Sequence, residues 1–365
     1  MTRQTSEETA RAWIEIDLGA LRRNVAAIAR HSGVPVLPMV KADAYGLGAL
    51  GVARALDPMP EVCGFGVATV DEAIQLREAG VSKRLLTFTP LSDADLASAA
   101  QHAFVPVLTR GDQIDKWSAT RLPWHLGIDT GMSRAGVRWD AVGSLAPLLR
   151  KVPPPEGACS HFHSAERADG SLELQERRFA QAVDALPVRP PMLHIENSAA
   201  IARNARSRWS FVRPGIFLYG VGSGPEAAIQ PEPVVSLRAR VVELRRIHAG
   251  ETVSYGATWR AEGERTIATL PVGYADGYRR SFSGRAVALL KGTRVPVAGT
   301  ITMDMAMLDV SGVPCVAGDV VTLIGPDGNE LLSVEEVSGF GDLIAYEVLT
   351  GLRQRLPRRY VGHAA

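Results

Sequence analysis

The strongest chemical feature of the sequence is a lysine at the end of an apolar run, with a glycine-rich turn directly after it. The stretch reads Val36-Leu37-Pro38-Met39-Val40-Lys41-Ala42-Asp43-Ala44-Tyr45-Gly46-Leu47-Gly48. Residues 34–40 have the composition of a buried strand, and Lys41 stands where that strand emerges. Partial desolvation there favours the neutral amine. A neutral lysine amine can attack a carbonyl and form a Schiff base. A surface lysine that merely ends a strand is the competing reading. The same stretch also contains Gly46-Leu47-Gly48-Ala49-Leu50-Gly51, a match to the dinucleotide-binding spacing, with Asp71 and Glu72 at a suitable distance beyond it. In true dinucleotide sites the glycines begin where the strand stops. Here Lys41 to Tyr45 intervene, so the match is weak.

Other chemically capable groups recur at the ends of apolar runs. They are Asp129 to Arg134, His161 and His163, Glu196-Asn197-Ser198, and Arg213-Pro214-Gly215. The elements that must position them are strand-like runs at 34–41, 63–69, 84–89, 104–109, 123–129, 156–162, 192–197 and 209–213. Helical segments alternate with these at 71–79, 91–100, 139–149, 172–186 and 199–205. Asp71 suits a helix N-cap, and Gly80 a helix end. Eight strands alternating with helices predict a closed parallel (β/α)8 TIM-type barrel, in which active groups gather at the C-terminal strand ends. Before the barrel, residues 13–17 alternate like a strand, and 18–30 have helical periodicity. The rhythm changes at Gly222-Ser223-Gly224-Pro225. Beyond it, 234–244, 266–272, 286–290, 305–310 and 320–324 read as strands, with one helix near 345–352. The sequence therefore predicts an α/β barrel domain over 1–230 and a C-terminal mostly-β domain over 231–365.

Composition narrows the classes. In 365 residues, 46% are hydrophobic, enough for sizeable cores, and a formal net charge of +1 gives no global field for nucleic acid or an anionic membrane. No apolar run has the length of a membrane span, and residues 1–9 are polar, without a signal-peptide core. Cys63, Cys159 and Cys315 are scattered, without metal spacing, and read as core residues. The expectation is a soluble, reduced, cytoplasmic protein with no metal site.

A Schiff-base lysine and a phosphate cradle at one rim point to pyridoxal 5'-phosphate. Asn197-Ser198 and Gly215-Ile216 occupy the loops that form the usual barrel phosphate site, although Ser198 also suits a helix N-cap. The carboxylate that usually protonates the ring nitrogen is replaced at this rim by Arg213. Arginine does not readily release its proton, so the ring nitrogen stays unprotonated and the electron sink is weak. That favours quick return of a proton over transamination, which is racemase chemistry. Racemisation needs proton donors on both faces of the α-carbon. Lys41 serves one face, and the rim offers no clear group for the other.

Over nearly its whole length the chain resembles the alanine racemase family. The anchors are residues 40–48, Asp129-Thr130-Gly131-Met132-Ser133-Arg134, His194 through Ala200, Arg213-Pro214-Gly215-Ile216 with Tyr219-Gly220, Val253-Ser254-Tyr255-Gly256, Val272-Gly273-Tyr274-Ala275-Asp276-Gly277, and Met303-Asp304. The resemblance implies that Lys41 carries the cofactor and is the base for the D-enantiomer. It implies that Tyr255, from the β-domain of a partner in a head-to-tail homodimer, is the base for the L-enantiomer. It further implies that His161 links this tyrosine to Arg213, where a positive neighbour would favour the phenolate. Arg134, helped by Met303, would bind the substrate carboxylate. Tyr45, Ser198, Gly215 and Ile216 would bind the phosphate, and Tyr274 would line a narrow entry. His194 also matches the pattern, and a satisfied core histidine explains it equally well; His163 reads as structural. The implied activity is interconversion of L- and D-alanine, supplying D-alanine for peptidoglycan.

Two positions depart from the family pattern. Many members have a carbamylated lysine two residues before the Asp-Thr-Gly-Met aspartate, and this chain has Gly127. Arg134 must then be held by a bound anion or by another carboxylate. Many members also have a phosphate-binding tyrosine where this chain has Gln354, which supplies no aromatic gate. These departures keep open a broader amino-acid racemase, for example one acting on serine. A non-enzymatic pyridoxal-phosphate barrel is disfavoured by the β-domain and Tyr255. A metal-assisted aldolase is disfavoured because the second domain shows no ligand cluster.

Overall fold

A computed structural model describes residues 10–224 and 226–362. The polar stretch 1–9, and Pro225 of the expected boundary loop, lie outside the described residues.

Six short parallel strands run side by side in the order Phe65–Val67, Leu85–Thr87, Val105–Leu108, His125–Asp129, Gly157–Cys159 and Met192–His194. The expected strands at 34–41 and 209–213 are reduced to isolated bridges. Val36 bridges Val62 on one side and Val212 on the other, and Met39 bridges Gly66. Those bridges close the ring between its first and eighth segments. The first segment contains Pro35 and Pro38, which cannot donate to a ladder, so its pairing is intermittent. Aliphatic and aromatic side chains at the strand positions are fully buried, Phe65, Val67, Leu108 and Leu126 among them.

Helices follow the strands, and several of them begin with a side-chain cap. Val70–Glu78 is capped by Thr69 rather than Asp71; Thr69 and Glu72 form a reciprocal capping box, and Asp71 falls in the first turn. Ser198–Arg203 is capped by Asn197 rather than Ser198, the Asn197 side chain accepting from the Ala200 amide. Residues 142–149 form a short 3-10 turn and one α-turn instead of the expected longer helix. The helix Gly111–Ser118 is an element the sequence reading missed.

The second domain is mostly strands. Its main sheet has the order Thr293–Pro296, Val287–Leu290, Val320–Asp327, Val235–Arg240, Ala12–Asp17 and Arg358–Val361, with Glu330–Leu332 on Val320–Asp327. Thus the strand-like N-terminal residues do form a strand, but within this sheet. Ala12–Asp17 pairs antiparallel with Val235–Arg240 and parallel with Arg358–Val361. A smaller sheet joins Glu243–Ile247, Arg265–Leu270 and Ala306–Asp309. Of the three cysteines Cys159 is fully buried, while Cys63 and Cys315 are partly exposed and pack against the core. Among the described residues, no cluster of metal-ligating side chains exists and no helix is long and apolar enough to cross a membrane.

Candidate active site

Lys41 stands at the end of the first barrel segment, and the backbone beyond it is unusual. Ala42, Asp43, Ala44 and Tyr45 all have φ between 52° and 59°, so the chain makes one left-handed helical turn. Left-handed geometry costs an L-residue roughly 1–2 kcal/mol, so surrounding contacts must enforce it. The Ala42 amide donates to Glu72 Oε1 at 2.7 Å, and the Ala49 amide to Asp43 Oδ1 at 2.7 Å. On the other side Arg358 Nη2 donates to the Gly46 carbonyl at 2.8 Å. Tyr360 donates its hydroxyl to the Leu47 and Gly48 carbonyls. The glycines that mimic a dinucleotide motif therefore serve this turn and its contact with Tyr360.

A cavity of about 340 Å³ opens above the barrel, lined by Lys41, Phe88, Thr109, Gly127, Arg134, Ser160, His161 and Arg213 among others. The structure thus brings together four of the residues singled out in the sequence. Burial lowers the Lys41 pKa, Arg134 and Arg213 lower it further, and Glu72 opposes them. His161 is pushed down to about 3, first by burial and then by Arg213, Arg134 and Lys41, and is therefore neutral. Among the described residues Arg134 forms no ion pair, and no carboxylate takes the place of the family's lysine carbamate at Gly127. Among the described residues the only acid lining the cavity is Asp129, which spends Oδ1 on the amides of Gly131 and Ser133.

Arg213 is buried and heavily tied. It donates from Nη1 to His194 Nδ1 at 2.7 Å and from Nη2 to the Ser160 carbonyl at 2.7 Å, while His161 Nδ1 lies 3.5 Å from Nη2. The stronger imidazole partner is therefore His194, which sequence reading left between a family role and a core role. His194 Nε2 in turn lies 2.8 Å from His125 Nδ1, and His125 Nε2 lies 3.5 Å from Glu156, which is paired to Arg84 at 2.8 Å. His125 was missed because it sits in an otherwise apolar strand pattern, and Glu156 because it stands at the bend just before Gly157–Cys159 with no motif of its own.

At the neighbouring edge Ser198 Oγ accepts from the Gly215 amide at 2.9 Å and the Phe217 amide at 3.4 Å. A Cβ at Gly215 would overlap the Tyr45 hydroxyl, so only glycine lets that hydroxyl and the turn before Ile216 converge. Tyr45 packs between Tyr219 and Tyr346, at 5.0 and 5.9 Å between ring centroids. His163 lies outside the cavity, hydrogen-bonded to Ser164.

Three sequence-predicted residues are not brought to Lys41 within one protomer. Tyr255 is 74% exposed, Met303 53% and Tyr274 40%, all on the second domain. Tyr255 lines a separate open cavity with Thr302, Met305 and Met307. Its loop is nevertheless firmly built: Ser254 Oγ donates to the Thr300 carbonyl at 2.6 Å, and Thr300 Oγ1 donates to the Tyr255 carbonyl at 3.0 Å. The Tyr274 and Met303 loops are zipped by Tyr274 N–H to Thr302 O and Ala275 N–H to Met303 O. Arg355 fastens them from below through Asp276 and Asp304.

Comparison with known proteins agrees with this geometry. Residues 16–223 match the family described as alanine racemase, N-terminal domain, and 234–360 match alanine racemase, C-terminal domain. The chain is 40% identical to an alanine racemase of Deinococcus radiodurans over 353 residues, covering 96% of this chain and 99% of that one. It is 37% identical to one of Nostoc, covering 95% of each. Among solved structures, alanine racemase from E. faecalis superposes with a TM-score of 0.90 at 31% identity, covering 96% of this chain and 98% of that one. Alanine racemase from Bartonella henselae, solved with covalently bound pyridoxal phosphate, gives 0.88 at 30%, covering 96% and 100%. The chain belongs to the alanine racemase family.

Proposed function

We propose that the chain interconverts L- and D-alanine with pyridoxal 5'-phosphate held at Lys41, and that Lys41 and the Tyr255 of a second copy are the two bases. The observation that carries the second half is the placement of Tyr255, fully displayed on a hydrogen-bonded loop yet outside the cavity that contains Lys41 of the same chain. A head-to-tail homodimer would seat each such loop over its partner's cavity.

The residues present fit the cofactor. Tyr45, Ser198, Gly215 and Ile216 would hold its phosphate in the cradle that a Cβ at Gly215 would fill. Arg213, locked by His194, would face the ring nitrogen as a donor only. When bound, the cofactor supplies an electron sink that acidifies the substrate's α-hydrogen. Lys41 takes or returns that proton on one face at Nζ. Its amine is ready because burial and two guanidinium neighbours disfavour the charged form. The phenol oxygen of Tyr255 serves the opposite face. Arg134, with Met303 of the second copy, would hold the substrate carboxylate, and Tyr274 would limit side-chain size at the entry. A small anion in the cavity at Gly127 would balance Arg134. We place the reaction in the cytoplasm, with D-alanine as a peptidoglycan precursor.

The deciding experiment mixes two inactive variants. Lys41→Ala and Tyr255→Phe homodimers are each expected to be dead. Re-associated statistically, half the dimers are mixed, and each has one intact site, so roughly a quarter of the native activity returns. No recovery, with exchange of subunits verified, would refute the shared site. A chiral assay over alanine, serine and larger amino acids tests whether the exposed Gln354 widens the substrate range.

A further inference from the structure

The geometry points to Glu72 as a positioning residue that holds Lys41 in place by clamping the left-handed turn after it. This rests on Lys41 being the cofactor-bearing lysine. The carboxylate is divided between two tasks. Oε1 accepts from the Ala42 amide at 2.7 Å, the first peptide beyond Lys41. Oε2 accepts from the Ala68 amide at 2.7 Å and the Thr69 amide at 3.3 Å, at the exit of the second barrel strand. One side chain therefore staples the end of the first barrel segment to the end of the second.

Ordinary capping explains only half of this. A capping-box glutamate needs one oxygen for the N-cap amide. The second oxygen here crosses thirty positions of sequence to reach Ala42. It bonds the residue that opens a run of four consecutive left-handed residues, none of them glycine. The acceptor that the Ala42 amide meets in that conformation is Glu72. The far end of the turn is held independently, by Arg358 and Tyr360. Glu72 is thus the barrel side chain that anchors the lysine end, beside the backbone bond from the Val40 amide to the Gly66 carbonyl. It also places a negative charge near Lys41 that partly offsets the neighbouring Arg134 and Arg213.

The test compares Glu72→Ala with Thr69→Ala in the cofactor-loaded protein. Thr69→Ala removes the hydroxyl that accepts from the Glu72 amide and leaves the bond to Ala42. Hydrogen exchange of the peptide covering 42–48 is expected to quicken roughly tenfold to a hundredfold in Glu72→Ala, the range for losing a charge-assisted hydrogen bond. It stays near native in Thr69→Ala. Release of the cofactor to hydroxylamine should accelerate in the first variant and not in the second. Glu72→Gln, which keeps one acceptor oxygen, should fall between. Equal effects in Glu72→Ala and Thr69→Ala, or native exchange over 42–48 in Glu72→Ala, would reduce Glu72 to a helix cap and overturn the inference. Borohydride fixation of the cofactor onto the Lys41 peptide in the native protein checks the underlying assignment separately.

Discussion

The two halves of the proposed machinery are prepared in opposite ways. The barrel half is enclosed. Lys41, His161 and Arg213 share one cavity, and burial and crowding of positive charge set their protonation. The β-domain half stands in the open. Tyr255, Tyr274 and Met303 are exposed, and their order comes from hydrogen bonds between loops rather than from a surrounding core. Burial tunes acidity, whereas a displayed side chain on a stiff loop is suited to completing a neighbour. The difference is what a shared site requires, because the exposed half must remain accessible until a partner arrives.

Several substitutions would sharpen or break this contrast. Lys41→Ala should lower racemisation by about 10⁴-fold or more and abolish borohydride trapping; substantial residual activity would show that the enclosed half is not the anchor. Tyr255→Phe should cost about 10³-fold, yet solvent exchange of the α-hydrogen should persist for one enantiomer only. Exchange lost equally for both would mean that the exposed half does not own a face. Gly46→Ala tests the seam between the halves. Its φ is +87°, and a Cβ would lie 2.6 Å from the Leu349 carbonyl, so destabilisation of about 2–4 kcal/mol is expected by thermal or urea unfolding.

Acid should act on the barrel half selectively. His161 has a folded pKa near 3, below its unfolded value, so the unfolded chain binds the extra proton first. Stability is complete above pH about 6.5 and declines as pH falls toward 3. Glu156 is held down to about 2, chiefly by its contact with His125 and also by Arg84, and its contribution is lost on falling from about 4.5 toward 2. Unfolding midpoints measured across that range should drop less steeply in Glu156→Gln. The smallest effect is expected from anions: chloride or formate should lower the KM for alanine by no more than roughly fivefold, the scale of an exposed ion pair.

Much of the barrel half was legible in the sequence. An apolar run ending in lysine, and polar groups at successive strand ends, follow simple periodicity. The remainder depends on contacts that no local pattern encodes. Glu72 looks like any capping-box residue until its second oxygen is seen on Ala42. The run Ala42-Asp43-Ala44-Tyr45 in left-handed geometry contradicts local preference and is held by Glu72, Arg358 and Tyr360 from outside. The strand Ala12–Asp17 was recognisable as a strand. Its membership in the second sheet was not, because that depends on pairing with residues more than two hundred positions away. Tyr255 emerged only through family likeness, since a lone exposed tyrosine has no periodic signature.

The chain of rings behind Arg213 has a consequence of its own. A guanidinium has no lone pair to offer, so the His194 nitrogen facing it must be bare and the opposite nitrogen must carry hydrogen. That hydrogen points at His125, whose facing nitrogen must then be bare as well, and whose far N–H is directed at Glu156. Every link is polarised the same way, from the mouth of the barrel to an ion pair between strands. The tautomers of two buried imidazoles are thereby dictated by the one guanidinium of Arg213, and the last N–H in the row faces Glu156 at 3.5 Å.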